Sequence, residues 1–229
     1  LQGSRIGQFI KPQALFSPRV GLNWDINGDR TVQLSGGAGI FTSSIPLVWP
    51  GGAYNTNGFN LGSIDETGVD GVFRPDVNNE PSTRSTTVQS GNIDLFANDF
   101  KAPQVAKFNG ALDKKLSNGW ILTLDALYNK NINALTYQNL NMRPSTESLT
   151  GTGDYRPKYN RRDLIVPNYG GIYLAGNTAR GFAYNLSSTL TVPMTNGFQG
   201  SASYSYGESF SVFDGTSSQN SSQWRGLHS

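Results

Sequence analysis

The sequence predicts an all-β chain: a section of an antiparallel transmembrane β-barrel, with about six long strands in three hairpins and long extracellular loops. Three observations predict it. Apolar and polar residues alternate over long stretches, giving a strand one apolar and one polar face. The stretches pair across Asn-Gly signals, which Asn and Gly favour because tight hairpin turns need positive φ. The connections at the opposite end are far longer, the asymmetry of a barrel with short periplasmic turns and long outer loops.

Composition agrees. Of 229 residues, 36% are hydrophobic and 15% charged, against ~45–50% and roughly 25% in soluble globular domains. Aromatics reach 11%, Gly numbers 27, and the net charge is +2, from 18 Lys+Arg and 16 Asp+Glu. Disordered chains carry high net charge and few aromatics, so disorder is excluded as well. Strands that are apolar on one face, with lipid supplying the other half of the packing, account for this balance.

The first hairpin joins strands at about 14–26 and 31–43. Phe16, Pro18, Val20, Leu22, Trp24 and Ile26 alternate with Ser17, Arg19, Gly21, Asn23 and Asp25, and Asn27-Gly28-Asp29 turns the chain. Val32, Leu34, Gly36, Ala38 and Ile40 continue the apolar face. The second hairpin joins about 105–116 to 120–131. Ala106, Phe108, Gly110 and Leu112 lead through Ser117-Asn118-Gly119 to Trp120, Leu122, Leu124, Ala126 and Tyr128. The third joins about 180–193 to 198–209. Phe182, Tyr184, Leu186, Ser188, Leu190 and Val192 lead through Thr195-Asn196-Gly197 to Phe198, Gly200, Ala202, Tyr204 and Tyr206. Strands of this length exceed the usual ~5–6 residues and match the ~9–11 of a tilted membrane strand. Long loops fill 44–104, 132–179 and 210–229, where no period is sustained.

The polar face carries Arg19, Asn23, Asp25, Lys107, Asn109, Asp113 and Asp125, which suits a hydrated lumen. The apolar face is nearly uncharged. Trp24, Trp120 and Phe198 lie beside the short turns, and Phe16, Tyr128, Phe182, Tyr184 and Tyr206 toward the long loops. Two aromatic girdles at headgroup level are expected of a lipid-facing wall. Lys114, Lys130 and Glu208 share this face only near strand ends, where long charged side chains reach the interface. A soluble β-sandwich also alternates, with its apolar face inward. Strand length, the repeated hairpins, the girdles and the loop asymmetry favour the barrel. Six strands do not close one, because an eight-stranded barrel is the smallest normal form. With a first residue of Leu1 and no signal peptide, the chain reads as an internal piece of a longer polypeptide.

The chemistry the sequence excludes is broad. Without Cys, disulfide scaffolds, thiolate zinc sites and Cys nucleophiles drop out. The only His, His228, stands next to the last residue, which leaves no basis for a His-rich metal site or a nucleophile triad. Lys114-Lys115 and Arg161-Arg162 are the only basic doublets, so a nucleic-acid partner is not expected. No spaced acid/base pair argues for an enzyme. Asp25-Asn27-Asp29 lacks the spacing and closing Glu of a calcium loop and reads as a turn. Asp65, Glu66 and Asp70 are the weak candidates for loop calcium, and no cofactor is expected. Gly36-Gly37-Gly39 lies inside a strand, where glycine permits bending or close approach.

Candidate ligand contacts fall in the loops. Trp49, Tyr54, Phe59, Phe73, Phe96 and Phe100 stand among Asn and Gly, either to stack on a ligand or to form the loop's own core. Tyr155, Tyr159, Arg161 and Arg162 mark the second long loop. Its Arg-Arg-Asp run either grips a carboxylate or phosphate or pairs at the surface with Asp154 or Asp163.

Specific segments carry a family resemblance. Phe16-Ser17-Pro18-Arg19-Val20-Gly21-Leu22-Asn23-Trp24-Asp25, then Gly28-Asp29-Arg30, then Leu34-Ser35-Gly36-Gly37-Ala38-Gly39-Ile40-Phe41-Thr42 resemble the barrel of Bacteroidetes TonB-dependent receptors. The similarity is to the Oar-like branch, which has a carboxypeptidase-regulatory-like N-terminal domain. Pro103-Gln104-Val105-Ala106-Lys107-Phe108-Asn109 and the run from Gly119 to Lys130 resemble the same barrel. The resemblance implies a plugged barrel of ~22 strands, of which this chain would be about a quarter to a third. It also implies an outer-membrane location, active import of a peptide, glycan or chelate, and TonB contact through an N-terminal region. A surface lipoprotein is a further partner it implies. The family supplies no catalytic residue. The alternatives are a passive porin or structural surface barrel, and a secreted adhesin or carbohydrate-binding module.

Overall fold

The computed structural model describes residues 3–8, 10–58, 62–63, 76, 78, 89–150, 153, 155–160, 163–212, 215 and 217–226. In chain order the elements are β1 (Arg19–Asp25), β2 (Val32–Thr42), α1 (Val48–Asn55), β3 (Gly62–Ser63), β4 (Gln89–Ser90), β5 (Ile93–Phe96), β6 (Gln104–Lys115) and β7 (Ile121–Asn139). They continue with β8 (Glu147–Ser148), β9 (Pro157–Lys158), β10 (Ile172–Thr178), β11 (Phe182–Thr195), β12 (Phe198–Phe210) and α2 (Asn220–Gly226). Among the described residues, no helix is long and apolar enough to cross a membrane.

Six strands form a meander in the order β1-β2-β6-β7-β11-β12, each antiparallel to its neighbour. The register aligns the two faces across the whole wall. One row runs Trp24, Leu34, Leu112, Leu124, Ser188, Tyr204, and the next Leu22, Gly36, Gly110, Ala126, Leu186, Tyr206. Between them on the opposite face lies Asn23, Ser35, Ala111, Asp125, Ser187, Ser205. The apolar face is uncovered: Val20 is 70% exposed and Leu22 58%. A sandwich core would bury both. The outer edges of β1 and β12 carry no partner strand among the described elements.

The three turns use glycine differently. Asn196 (φ 50°) and Gly197 (φ 80°) both adopt positive φ, as the hairpin turn requires. In the second turn only Gly119 does (φ 82°), while the Gly119 N–H donates to the Leu116 carbonyl. The first connection is longer. The Asp25 carboxylate accepts from the Gly28 and Arg30 N–H groups at 3.0 and 2.9 Å, so it is spent on the turn. Within the wall, a Cβ on Gly36 would lie 2.7 Å from the Asn109 carbonyl oxygen, a close approach only glycine allows.

Several expected boundaries move. β1 starts at Arg19, not near 14, because Pro18 has no N–H for the ladder. β7 does not stop at 131 but reaches Asn139. Its 19 residues span roughly 60 Å, more than the ~9–11 residues a bilayer needs. β10 and β11 both pair with β7 in one continuous register, Thr178 opposite Ala134 and Phe182 opposite Lys130. They are one strand interrupted at 179–181. Asn131 fastens the break by donating to the Arg180 carbonyl at 3.0 Å.

The regions expected to be loops therefore hold a folded outer cap. β5 pairs in parallel with β10, which extends the sheet beyond the wall. Trp49, Ala53, Phe96, Phe100, Leu135, Tyr137 and Ala175 form its main core, joined by Ile10, Ile45 and Trp224. Ile93, Leu95, Ile172 and Leu174 form a second core on the other side of β5 and β10. The 210–229 segment contributes α2, which packs against β7 and β10.

Candidate functional site

The register of the outer extension shows which residues the cap helices cover. On β7 the polar, lumen-side residues are odd-numbered as far as Asn131; there a bulge sets Val105 opposite Asn131 and Gln104 opposite Asn133, so parity does not carry past it to Leu135 and Tyr137. Tyr137 stands opposite Ala175, which stands opposite Phe96; Asn139 leads likewise to Tyr173 and Asp94. These are the residues α1 and α2 cover, so the cap packs on the odd-numbered face of β7 beyond the bulge.

Between the two helices is a cleft of about 600 Å³. Asn55, Thr56 and Asn92 line one wall, and Ser218 and Gln219 the other. Asp94, 7% exposed, is its one charged group among these. Burial pushes the Asp94 carboxyl up to about 6; the Asn220 amide beside it pulls weakly the other way, short of normal hydrogen-bond geometry. The folded state then holds a proton that the unfolded chain releases near 4. Cap stability falls as pH rises from about 4 through about 6 and is level above that. Hydrogen-exchange protection of the β5 amides, corrected for intrinsic rates, is expected to be higher at pH 5 than at pH 7.5. Asp94→Asn should remove that difference; its persistence in the variant would count against Asp94.

The sequence-predicted contacts separate. Trp49 is a core residue, 5% exposed, and its indole N–H donates to the Ser217 carbonyl at 3.2 Å. Its ring is therefore not open to a ligand. Tyr54 is exposed beside it in α1, and Phe96 and Phe100 stack edge-to-face in the core at 4.9 Å. Tyr155 and Tyr159 are exposed near the small β8–β9 hairpin, away from the cleft. Asp163 pairs with Arg143 at 3.0 Å. Phe59, Phe73, Asp154, Arg161, Arg162, His228 and the calcium candidates Asp65, Glu66 and Asp70 lie outside the described residues. Among the described residues no cluster of metal-ligating side chains forms. Asp94 and Asn220 had no motif to mark them; a lone Asp in the apolar run Ile93–Phe96 was the only signal.

On the polar face, Asp113 accepts from Thr123 at 2.5 Å and Asp125 from Ser187 at 3.4 Å. Arg19 and Lys107 lie over the Phe41 ring at 4.4 and 5.4 Å, contacts that hold cations against an aromatic face. Asn23 and Asn109 share this side by register. On the apolar face, Phe108, Tyr128, Phe182 and Phe210 form a band of neighbouring rings across β6, β7, β11 and β12, 4.9–6.4 Å apart. Tyr184 and Tyr206 both donate to Glu208, at 2.9 and 3.2 Å. The Glu208 charge at this strand end is thereby met by phenols. At the other end Trp24, Trp120 and Phe198 are exposed beside the turns; Phe16, ahead of β1, is exposed at the long-loop end.

A single-layer wall with an uncovered apolar face, a polar opposite face and aromatic bands is a section of an outer-membrane β-barrel. The family model for the outer membrane beta barrel domain matches residues 4–228, and the chain belongs to that family. Its place is the outer membrane, in contact with lipid, which excludes the secreted alternative. The fold is similar to the outer membrane transporter YddB from Escherichia coli, with 12% identity and a TM-score of 0.49 over 87% of this chain and 20% of that one. It is also similar to a mutant of the ferric enterobactin receptor PfeA from Pseudomonas aeruginosa, with 15% identity and a TM-score of 0.46 over 83% of this chain and 21% of that one. The chain thus spans about a fifth of the length of these structures. No curated protein matches it.

Proposed function

We propose that this chain forms part of the wall and outer mouth of a TonB-dependent transporter, which binds an extracellular nutrient and imports it through a plugged barrel. The observation that carries the reading is the folded cap at the outer end of the wall. A passive pore needs its mouth open, whereas an importer needs a shaped surface there that captures a ligand. Two further features support it. The wall's unpaired outer edges are not tolerated in lipid, so more strands complete the barrel. The segments around Phe16–Asp25 and Leu34–Thr42 resemble the barrel of this receptor class. The plug and the TonB contact follow from that resemblance. The chain's own part is binding, not catalysis.

A plugged barrel conducts little when idle. The purified full-length protein in a planar bilayer is expected to stay closed, and to open reversibly when urea loosens a plug. A steady open conductance in buffer would overturn the reading in favour of a porin.

A further inference from the structure

Asn220 is a buried amide short of hydrogen-bond partners. It is 2% exposed and lines the cleft between α1 and α2; neither its oxygen nor its nitrogen makes a hydrogen bond of normal geometry, and only Asp94 stands close enough to act on it. Leaving such a group unpaired costs about 1–3 kcal/mol, and native structures seldom accept that without a purpose. Asp94 beside it is also withdrawn from water, and none of the groups lining the cleft with it carries a positive charge.

The rest of the cleft narrows the chemistry. Its polar lining consists of amides and hydroxyls, which present donors and acceptors together. A cationic ligand would satisfy the carboxylate and leave the donors idle. An anionic ligand would meet Asp94. A neutral polyhydroxyl ligand uses both, because each hydroxyl donates once and accepts as well. Gly51 and Gly52 give one wall no side chains, and a Cβ on Gly51 would meet nothing within 4 Å. That wall offers a flat approach for a sugar ring. The cleft's size, about 600 Å³, falls within the ~300–1,000 Å³ of small-molecule sites.

We infer that the cleft between α1 and α2 binds a neutral oligosaccharide, whose hydroxyls donate to Asp94 and exchange hydrogen bonds with Asn220. This rests on reading the chain as the outer face of an importer, and it names the class of cargo.

The test uses full-length protein in detergent on an array of neutral oligosaccharides (glucans, xylans, mannans and galactans) beside a panel of tripeptides. The protein is expected to retain at least one neutral oligosaccharide. Asn220→Ala and Asp94→Asn should each weaken retention tenfold or more. Gly51→Tyr fills the cleft while leaving Asp94 and Asn220 themselves unchanged and should abolish it, which keeps the result clear should the first two variants unfold the cap. Retention of no sugar, retention of tripeptides instead, or equal retention by Gly51→Tyr would overturn the inference. Binding is read without transport, so the two proposals fail separately. A closed barrel that holds no sugar rejects the cleft alone, and an open pore that holds one rejects the transporter alone.

Discussion

Ser188→Arg is expected to destabilise the folded barrel by about 2–4 kcal/mol, and Ser187→Arg hardly at all. The two serines are adjacent, of one type, and at mid-length of β11, so depth, strand and residue chemistry are held constant. Only the face differs. Ser188 stands in the row of Trp24, Leu34, Leu112, Leu124 and Tyr204. A guanidinium there must enter hydrocarbon or bend the bilayer to reach water. Ser187 stands opposite Asp125 and already donates to it, so an Arg at 187 gains a carboxylate on a hydrated face. The measurement is urea unfolding of the full-length protein from lipid vesicles. Equal costs, or a larger cost at Ser187, would mean that the apolar face is not the one in lipid.

The wall was legible because one environment acts along its whole length. Lipid on one side and water on the other keep the period at two from Phe182 to Val192 without a break. Where the environment changes, the signal ends although the strand does not. Up to Tyr128 the apolar residues of β7 are even-numbered; beyond Asn133 they are Leu135 and Tyr137. Between them a bulge on β7 sets Val105 opposite Asn131 and Gln104 opposite Asn133, which shifts the odd-even parity while the strand runs on, and the cap covers the odd-numbered residues beyond it. The chain keeps its direction and its apolar phase flips, which in sequence looks like a strand ending.

The cap hid for related reasons. β5 and β10 are buried on both faces, so Ile93–Phe96 and Ile172–Ala175 are short apolar runs, not alternations. α1 contains Pro50, Gly51 and Gly52, a composition opposed to helix. It holds because Trp49 and Ala53 pack into the core. The same packing removes Trp49 from the ligand contacts its ring suggests. Asp94 and Asn220 meet only through tertiary structure, 126 residues apart in the chain.

Asn141 shows what a single buried polar side chain can hold in such a cap. It is 0% exposed. Its amide nitrogen donates to the carbonyls of Val166, Tyr169 and Gly170 at 3.1, 3.2 and 2.6 Å, and its oxygen accepts from the Val166 N–H at 2.8 Å. One amide thus ties the end of β7 to the segment leading into β10. Asn141→Ala leaves those groups unpaired where water does not reach them, at about 1–3 kcal/mol for each truly orphaned group. A loss of about 3 kcal/mol is expected, confined to the cap. Asn141→Asp should lose as much, since a carboxylate would face three carbonyls. The effect should spread along a definite route. Gly171, next to Gly170, donates to the Asn92 side chain at 2.8 Å and accepts from the Ile93 N–H at 2.9 Å. Asn92 and Asp94 both line the cleft, so slackening at Asn141 reaches its floor. Hydrogen exchange at Val166, Gly171, Ile172 and Ile93 should therefore quicken a hundredfold or so, consistent with ~3 kcal/mol at about 1.4 kcal/mol per decade, while Leu186 in the wall stays protected. Quickening at Leu186 as well would mean that cap and wall open as one unit, and no change at Ile93 would break the link from Asn141 to the cleft.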